Sequence, residues 1–224
     1  MIARLHSVML MPGGDDEVPV RNRPICAIVM IPLAMLMCLA QCAFAAQPYA
    51  HEQNSALAVW MVACTLLAFA FPLILLARGR YPELVFWCCC TIVLIFPYDP
   101  MLALMAMASL IARRSSRTRT IRTVLAGTAV TLWAQVRDVL QPADASLWHL
   151  IFAKPHTGQD GVPIELLTGE STILITAIVV ALIEATLATL LGLHIRSRAN
   201  LKAAQAQAQA ASAHATTLQS DLDH

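Results

Sequence analysis

Glu184 is the only charged residue in an apolar run that extends from 171 to 193. A carboxyl placed there costs a few kcal/mol unless it is protonated, paired or hydrated, so it is a candidate for function. It shares one helical face with Ala177, Ala181, Ala188 and Gly192. Small residues at that spacing let a second helix approach closely, and a protonated carboxyl can then hydrogen-bond across the contact. Two roles stay open. Glu184 either joins helices structurally, through Thr128 or Thr131 at similar depth, or works as a proton- or ligand-sensitive switch.

Other reactive residues point less sharply. The seven cysteines include Cys26, Cys38, Cys42, Cys64 and the run Cys88-Cys89-Cys90, all inside apolar stretches, which argues against disulfides. Neighbours on a helix point about 100° apart, so the triple run cannot offer three ligands to one metal. Cys88 and Cys90 with Met105 or Met107 could hold Cu(I), yet thiols and thioethers also pack as plain apolar groups. Between 141 and 170 lie Asp144, His149, His156, Asp160, Glu165 and Glu170, with His51 and Glu52 expected on the same side. Their spacing matches no zinc signature. Ser146 to Phe152 reads as a short amphipathic helix with Trp148 at headgroup level. No phosphate-binding glycine loop, nucleophile elbow or H-E-x-x-H occurs, so neither catalysis nor a cofactor or metal is expected within these residues.

The elements that position these residues follow from hydropathy. Of 224 residues, 58% are hydrophobic and 13% charged, against about 25% charged in ordinary soluble chains. The formal charge of +1 gives no footprint for nucleic acid. A bilayer crossing needs roughly 20 apolar residues. The runs 24–46 and 55–77 carry no charge, 171–193 carries only Glu184, and 120–140 is a weaker fourth with Arg137-Asp138 near one end. The stretch 82–112 is broken by Pro97-Tyr98-Asp99-Pro100, which reads as a turn between 82–97 and 101–112.

Arginine placement selects that hairpin. With six spans, one side collects Arg4, Arg21, Arg23, Arg78, Arg80, Arg113, Arg114, Arg117, Arg119, Arg122, Arg196, Arg198 and Lys202, leaving Arg137 and Lys154 opposite. A single helix there would split the same charges almost evenly, against the positive-inside rule. The fold class is therefore all-α: a polytopic membrane protein of six helices with both termini cytoplasmic, a disordered tail over 1–23 and an outer loop over 141–170. The short leg 101–112 requires Arg113 and Arg114 to snorkel or the bilayer to thin. A rival reading makes 21–45 a signal peptide ending in Ala43-Phe44-Ala45, although an acidic Asp15-Asp16-Glu17 segment precedes it.

After Leu193 the composition turns to Ala, Gln and Ser. Leu201, Ala204, Ala208, Ala211, Ala215, Leu218 and Leu222 alternate three and four apart, the seam of a coiled coil, so 194–224 is expected to leave the membrane as a helix that pairs with a second copy. This seam is offset by one residue from the Glu184 stripe.

The basic exit His194-Ile195-Arg196-Ser197-Arg198, the Ala/Gln-rich helix and its ending Leu218-Gln219-Ser220-Asp221-Leu222-Asp223-His224 resemble the front end of a bacterial sensor histidine kinase of the actinobacterial, polytopic kind. The resemblance covers 171–224 and the general layout. It implies a homodimeric sensory module in the cell membrane that relays a stimulus to a cytoplasmic kinase region and a response regulator. The family's phosphoaccepting histidine sits in an Ile-Ala-Arg-Glu-(Ile/Leu/Val)-His-Asp context, which neither His214 nor His224 matches, so kinase activity would belong to a further catalytic region. A small transporter, permease subunit or membrane scaffold is the alternative expectation, and the lipid bilayer is a partner in every case.

Overall fold

The structure, a computed structural model, describes residues 24–49, 56–113, 116–157 and 163–222. The expected tail 1–23, His51, Glu52, Arg114, Asp160 and His224 lie outside them. The chain is all-helical apart from one isolated antiparallel bridge, Ala153 to Leu166, among the described residues. Its helices are α1 (Pro24–Ala46), α2 (Ala56–Ala70), α3 (Pro82–Ile95), α4 (Met101–Arg113), α5 (Arg117–Val139), α6 (Leu147–Ile151) and α7 (Glu170–Leu222). Three stretches are long and apolar enough to cross a membrane, Ala27–Tyr49, Ala56–Gly79 and Glu170–Ala213, while α3 and α4 are shorter apolar helices.

Side-chain size, more than polarity, sorts inside from outside. On α1 the buried stripe is Ala34, Cys38, Gln41, Cys42 and Ala45, and Ile28, Val29 and Leu36 point away. On α2 the buried face is Met61, Cys64 and Ala68, and Leu57, Val62, Leu66 and Phe69 are exposed. Small residues let backbones close on one another where lipid tails are as apolar as leucine, and large ones meet the hydrocarbon. The same sorting explains the cysteines: Cys38, Cys42, Cys64, Cys89 and Cys90 are buried free thiols at helix contacts. No group of three His, Cys, Asp or Glu side chains suited to a metal occurs among the described residues.

Prolines set the helix boundaries. Pro24 and Pro82 open α1 and α3, where the missing N–H would have no intrahelical partner anyway. Buried Pro72 follows α2 at once, and the chain tightens into a 3-10 helix over Phe71–Gly79 that continues the span. The expected break between α3 and α4 is a turn at 96–100. The Asp99 carboxylate accepts from the Met101 N–H at 2.8 Å, an Asx turn that starts α4. Tyr98 stacks on Phe96 with centroids 5.5 Å apart and donates its hydroxyl to the Cys64 carbonyl at 2.6 Å, which fastens the turn to α2.

The short leg α4 sits in the middle of the bundle, packed by α3, α5, α7 and α1. Leu102 through Ala108 and Leu110 through Ala112 are all buried. A helix that is apolar all round belongs in a core. Other helices of the chain surround it along its length of roughly 20 Å. The small-residue face of α7 lies against α4 and α5: Ala177 clusters with Val139 and Ile173, and Ala181 is fully buried. At Gly192 an added Cβ would stand 2.8 Å from the Ala108 carbonyl oxygen and 2.9 Å from Ile111 Cβ.

Candidate functional site

Polar groups gather at the end of the bundle formed by the 96–100 turn, the last turns of α5, and α6. Among the arginine-rich positions at the other end, Arg78 is buried with Nη1 2.7 Å from Met30 Sδ, Arg80 lies over the Tyr81 ring at 5.6 Å, Arg113 and Arg196 are half-buried, and Arg117, Arg119, Arg122 and Arg198 are exposed.

The site is built on α5, which sends three side chains to four other elements. Gln135 and Asp138 are three residues apart and share a face, while Arg137 points about 100° round from Asp138. Arg137 donates from Nη1 to the carbonyls of Val93 (2.8 Å) and Phe96 (2.9 Å), and from Nη2 to that of Tyr98 (3.1 Å). Val93 is in the last turn of α3, Phe96 caps that helix and Tyr98 belongs to the turn that follows, so the guanidinium stands at the C-terminus of α3, where it also meets the negative end of the helix dipole.

Asp138 is buried and collects donors. Its carboxylate accepts from the Gln41 amide of α1, from Ser146 Oγ at 3.1 Å, and from the backbone N–H groups of Leu147 (3.3 Å) and Trp148 (3.0 Å). Ser146 Oγ in turn accepts from the His149 N–H at 3.2 Å and caps α6. A carboxylate surrounded by four donors has its lone pairs satisfied without a salt bridge. Through it the segment after α5 is folded back onto the bundle. The expected short helix is present as α6: His149 is buried and the Trp148 ring packs toward Val139 and Ile173, while Leu150 and Ile151 are exposed. Beyond it, Lys154 and Glu165 pair at 3.0 Å on the surface.

Gln135 links this cap to α7. Its Oε1 accepts from the Trp148 indole Nε1–H at 2.8 Å, and its Nε2 donates to Glu184 Oε2 at 3.2 Å. Glu184 is half-buried and has no cationic partner among the described residues. The anticipated threonine partners are replaced for a local reason: Thr131 donates to the Gly127 carbonyl of its own helix at 2.8 Å. Threonines at 65, 91, 123, 176, 186 and 189 also bond to the carbonyl four residues back, the ready solution for a hydroxyl in an apolar helix.

Of the residues singled out from sequence, Ala177, Ala181, Glu184, Ala188 and Gly192 lie on the α7 face turned to α4 and α5. Leu201, Ala204, Ala208 and Ala211 are exposed farther along the same helix, and Ala215, Leu218 and Leu222 fall within it with side chains outside the description. Gln41 and Gln135 were missed as site residues, and lone amides in otherwise apolar spans were their one available signal; Asp138 and Ser146 were noted only as part of a helix end and of the amphipathic segment. The arrangement holds no nucleophile and base in contact; its chemistry is hydrogen bonding that couples helices. No protein-family model, curated protein sequence or solved structure matches the chain.

Proposed function

We propose that the chain is the sensory and transmitting module of a sensor histidine kinase, crossing the membrane six times with both termini in the cytoplasm and acting as a homodimer. The observation that carries this reading is the continuity of α7. One unbroken helix runs from Glu170 to Leu222, so a displacement at Glu184 is delivered as a rotation or shift of the exposed seam. Beyond Leu193 that helix extends roughly 44 Å. Its seam residues Leu201, Ala204, Ala208 and Ala211 are exposed among the described residues, which leaves them available to a second copy, and a cytoplasmic kinase region would receive the motion. Glu184 with Gln135 serves as the bistable contact.

The test is disulfide crosslinking in membranes of Ala208→Cys and Ala211→Cys, in a background with Cys26 and Cys88 replaced by serine. Both positions should crosslink strongly and Gln209→Cys weakly. Glu184→Gln should change the ratio of the two crosslinks. No crosslink at either seam position would sink the paired tail. Strong crosslinks indifferent to position 184 would leave a scaffold, and substrate uptake by reconstituted vesicles would favour the transporter.

A further inference from the structure

At the arginine-poor end a cleft of about 230 Å³ opens between α2, α3 and the end of α5. Tyr49, Trp60, Leu94 and Ile95 form apolar walls, and Arg137 and Gln141 supply its polar lining. Trp60 and Ile95 are 44% and 60% exposed on the outer surface of the bundle, so the cleft opens sideways to where lipid lies.

Both polar residues have unused capacity. A guanidinium has five N–H donors, and Arg137 spends three on the carbonyls of Val93, Phe96 and Tyr98. Among the described residues, Nε–H and one Nη2–H have no acceptor and no carboxylate stands within 4.0 Å. Asp138, the neighbouring acid, is engaged by Gln41 and the start of α6. Gln141 Oε1 is a buried acceptor with no donor. The cleft therefore asks for an anionic oxygen group beside a hydrogen-bond donor, on a molecule whose other end is apolar.

We propose that this cleft holds the headgroup of a glycerophospholipid from the adjoining leaflet, with the phosphodiester on Arg137 and a hydroxyl or ammonium donor on Gln141 Oε1. The acyl chains run down the grooves beside Trp60 and Ile95. Phosphatidylethanolamine and phosphatidylglycerol satisfy both requirements. Phosphatidylcholine offers the phosphodiester but no N–H or O–H donor. A charge-assisted hydrogen bond gained or lost corresponds to about a tenfold change in affinity.

Native mass spectrometry of the full chain in detergent, titrated with each of the three lipids, tests this. One molecule of phosphatidylethanolamine or phosphatidylglycerol should be retained about tenfold more tightly than phosphatidylcholine. Gln141→Leu, at a position that braces no helix through its side chain, should bring the three lipids to near parity, and Arg137→Gln should weaken all of them. Circular dichroism and gel filtration verify that each variant is folded. If Arg137→Gln fails to fold, the Gln141→Leu comparison decides alone. Equal retention of phosphatidylcholine by the unaltered chain, or a preference that survives Gln141→Leu, would overturn the proposal. So would displacement of the lipid by millimolar inorganic phosphate, which would mark a site for a free anion.

Discussion

The amide of Gln135 and the carboxyl of Glu184 face one another across α5 and α7, with Nε2 3.2 Å from Oε2, and the same amide accepts from the Trp148 indole. An amide held at both ends has a fixed orientation, so Glu184 is presented with a donor and must offer it an acceptor oxygen. Replacing Gln135 with Leu strands two polar groups, the indole N–H and the carboxyl, at about 1–3 kcal/mol each. Glu184→Gln keeps an oxygen for Gln135 and should cost under about 1 kcal/mol. Thermal unfolding in detergent should rank Gln135→Leu well below Glu184→Gln. Equal losses would mean that the contact contributes nothing.

Arg137 acts as a brace for α3. Its planar fork reaches three carbonyls at once, a geometry that an ammonium cannot copy. Arg137→Lys should lower stability by about 1–3 kcal/mol through the acceptors it leaves unpaired. The loss should be local: amide hydrogen exchange should speed up in the 96–104 region and leave the first two turns of α5 unchanged. Uniform acceleration across the bundle would refute a bracing role.

Much of the fold was legible because hydropathy and bilayer thickness share one length scale. The apolar runs at 24–46, 55–77 and 171–193 translate directly into long helices, and the two prolines around Tyr98-Asp99 mark the turn before α4. Hydropathy could not reveal that α4 is central, since leucine and alanine read alike whether they face lipid or protein. The polar cluster was hidden for another reason. Gln41 and Asp138 are 97 positions apart, and Gln135 and Glu184 are 49, so no local period links them. The Arg137-Asp138 pair was visible near a helix end, but the two side chains serve different helices. Glu184 stood out as an isolated charge, and depth alone assigned it to Thr128 or Thr131, of which Thr131 donates to the Gly127 carbonyl of its own helix and neither is its partner; Gln135 is.

Gly192 fixes how closely α7 approaches α4. A Cβ there would press on the Ala108 carbonyl oxygen at 2.8 Å, and a backbone oxygen cannot swing aside like a side-chain tip. Gly192→Ala gains about 1 kcal/mol of helix propensity, which partly offsets the strain. Gly192→Val adds two methyls with little propensity gain and should lose about 1–3 kcal/mol net. The same substitution at Gly169, where the nearest contact to a built Cβ is Ser171 Oγ at 3.9 Å, is the control and should change little. Comparable effects at the two glycines, read by thermal unfolding, would show that close approach is not what position 192 requires.

Asp99 gives the turn between α3 and α4 a pH dependence whose sign can be worked out. Burial pushes its carboxyl above the ordinary value of 3.8; the Met101 N–H pulls the other way, and the nearby Asp138 charge raises it further. A group that holds its proton more tightly in the folded state contributes stability below its unfolded value and loses it as pH climbs through the folded one. Carboxylates stabilised as anions elsewhere have the opposite slope, so the informative quantity is the difference between the unaltered chain and Asp99→Asn. The asparagine keeps an oxygen for the Met101 N–H while removing the titration. The melting temperature of the unaltered chain, relative to Asp99→Asn, should fall as pH rises above 3.8 and level off once the folded-state carboxyl has ionised. A difference that rises over that range would mean that Asp99 is stabilised as an anion and that the turn draws on its charge.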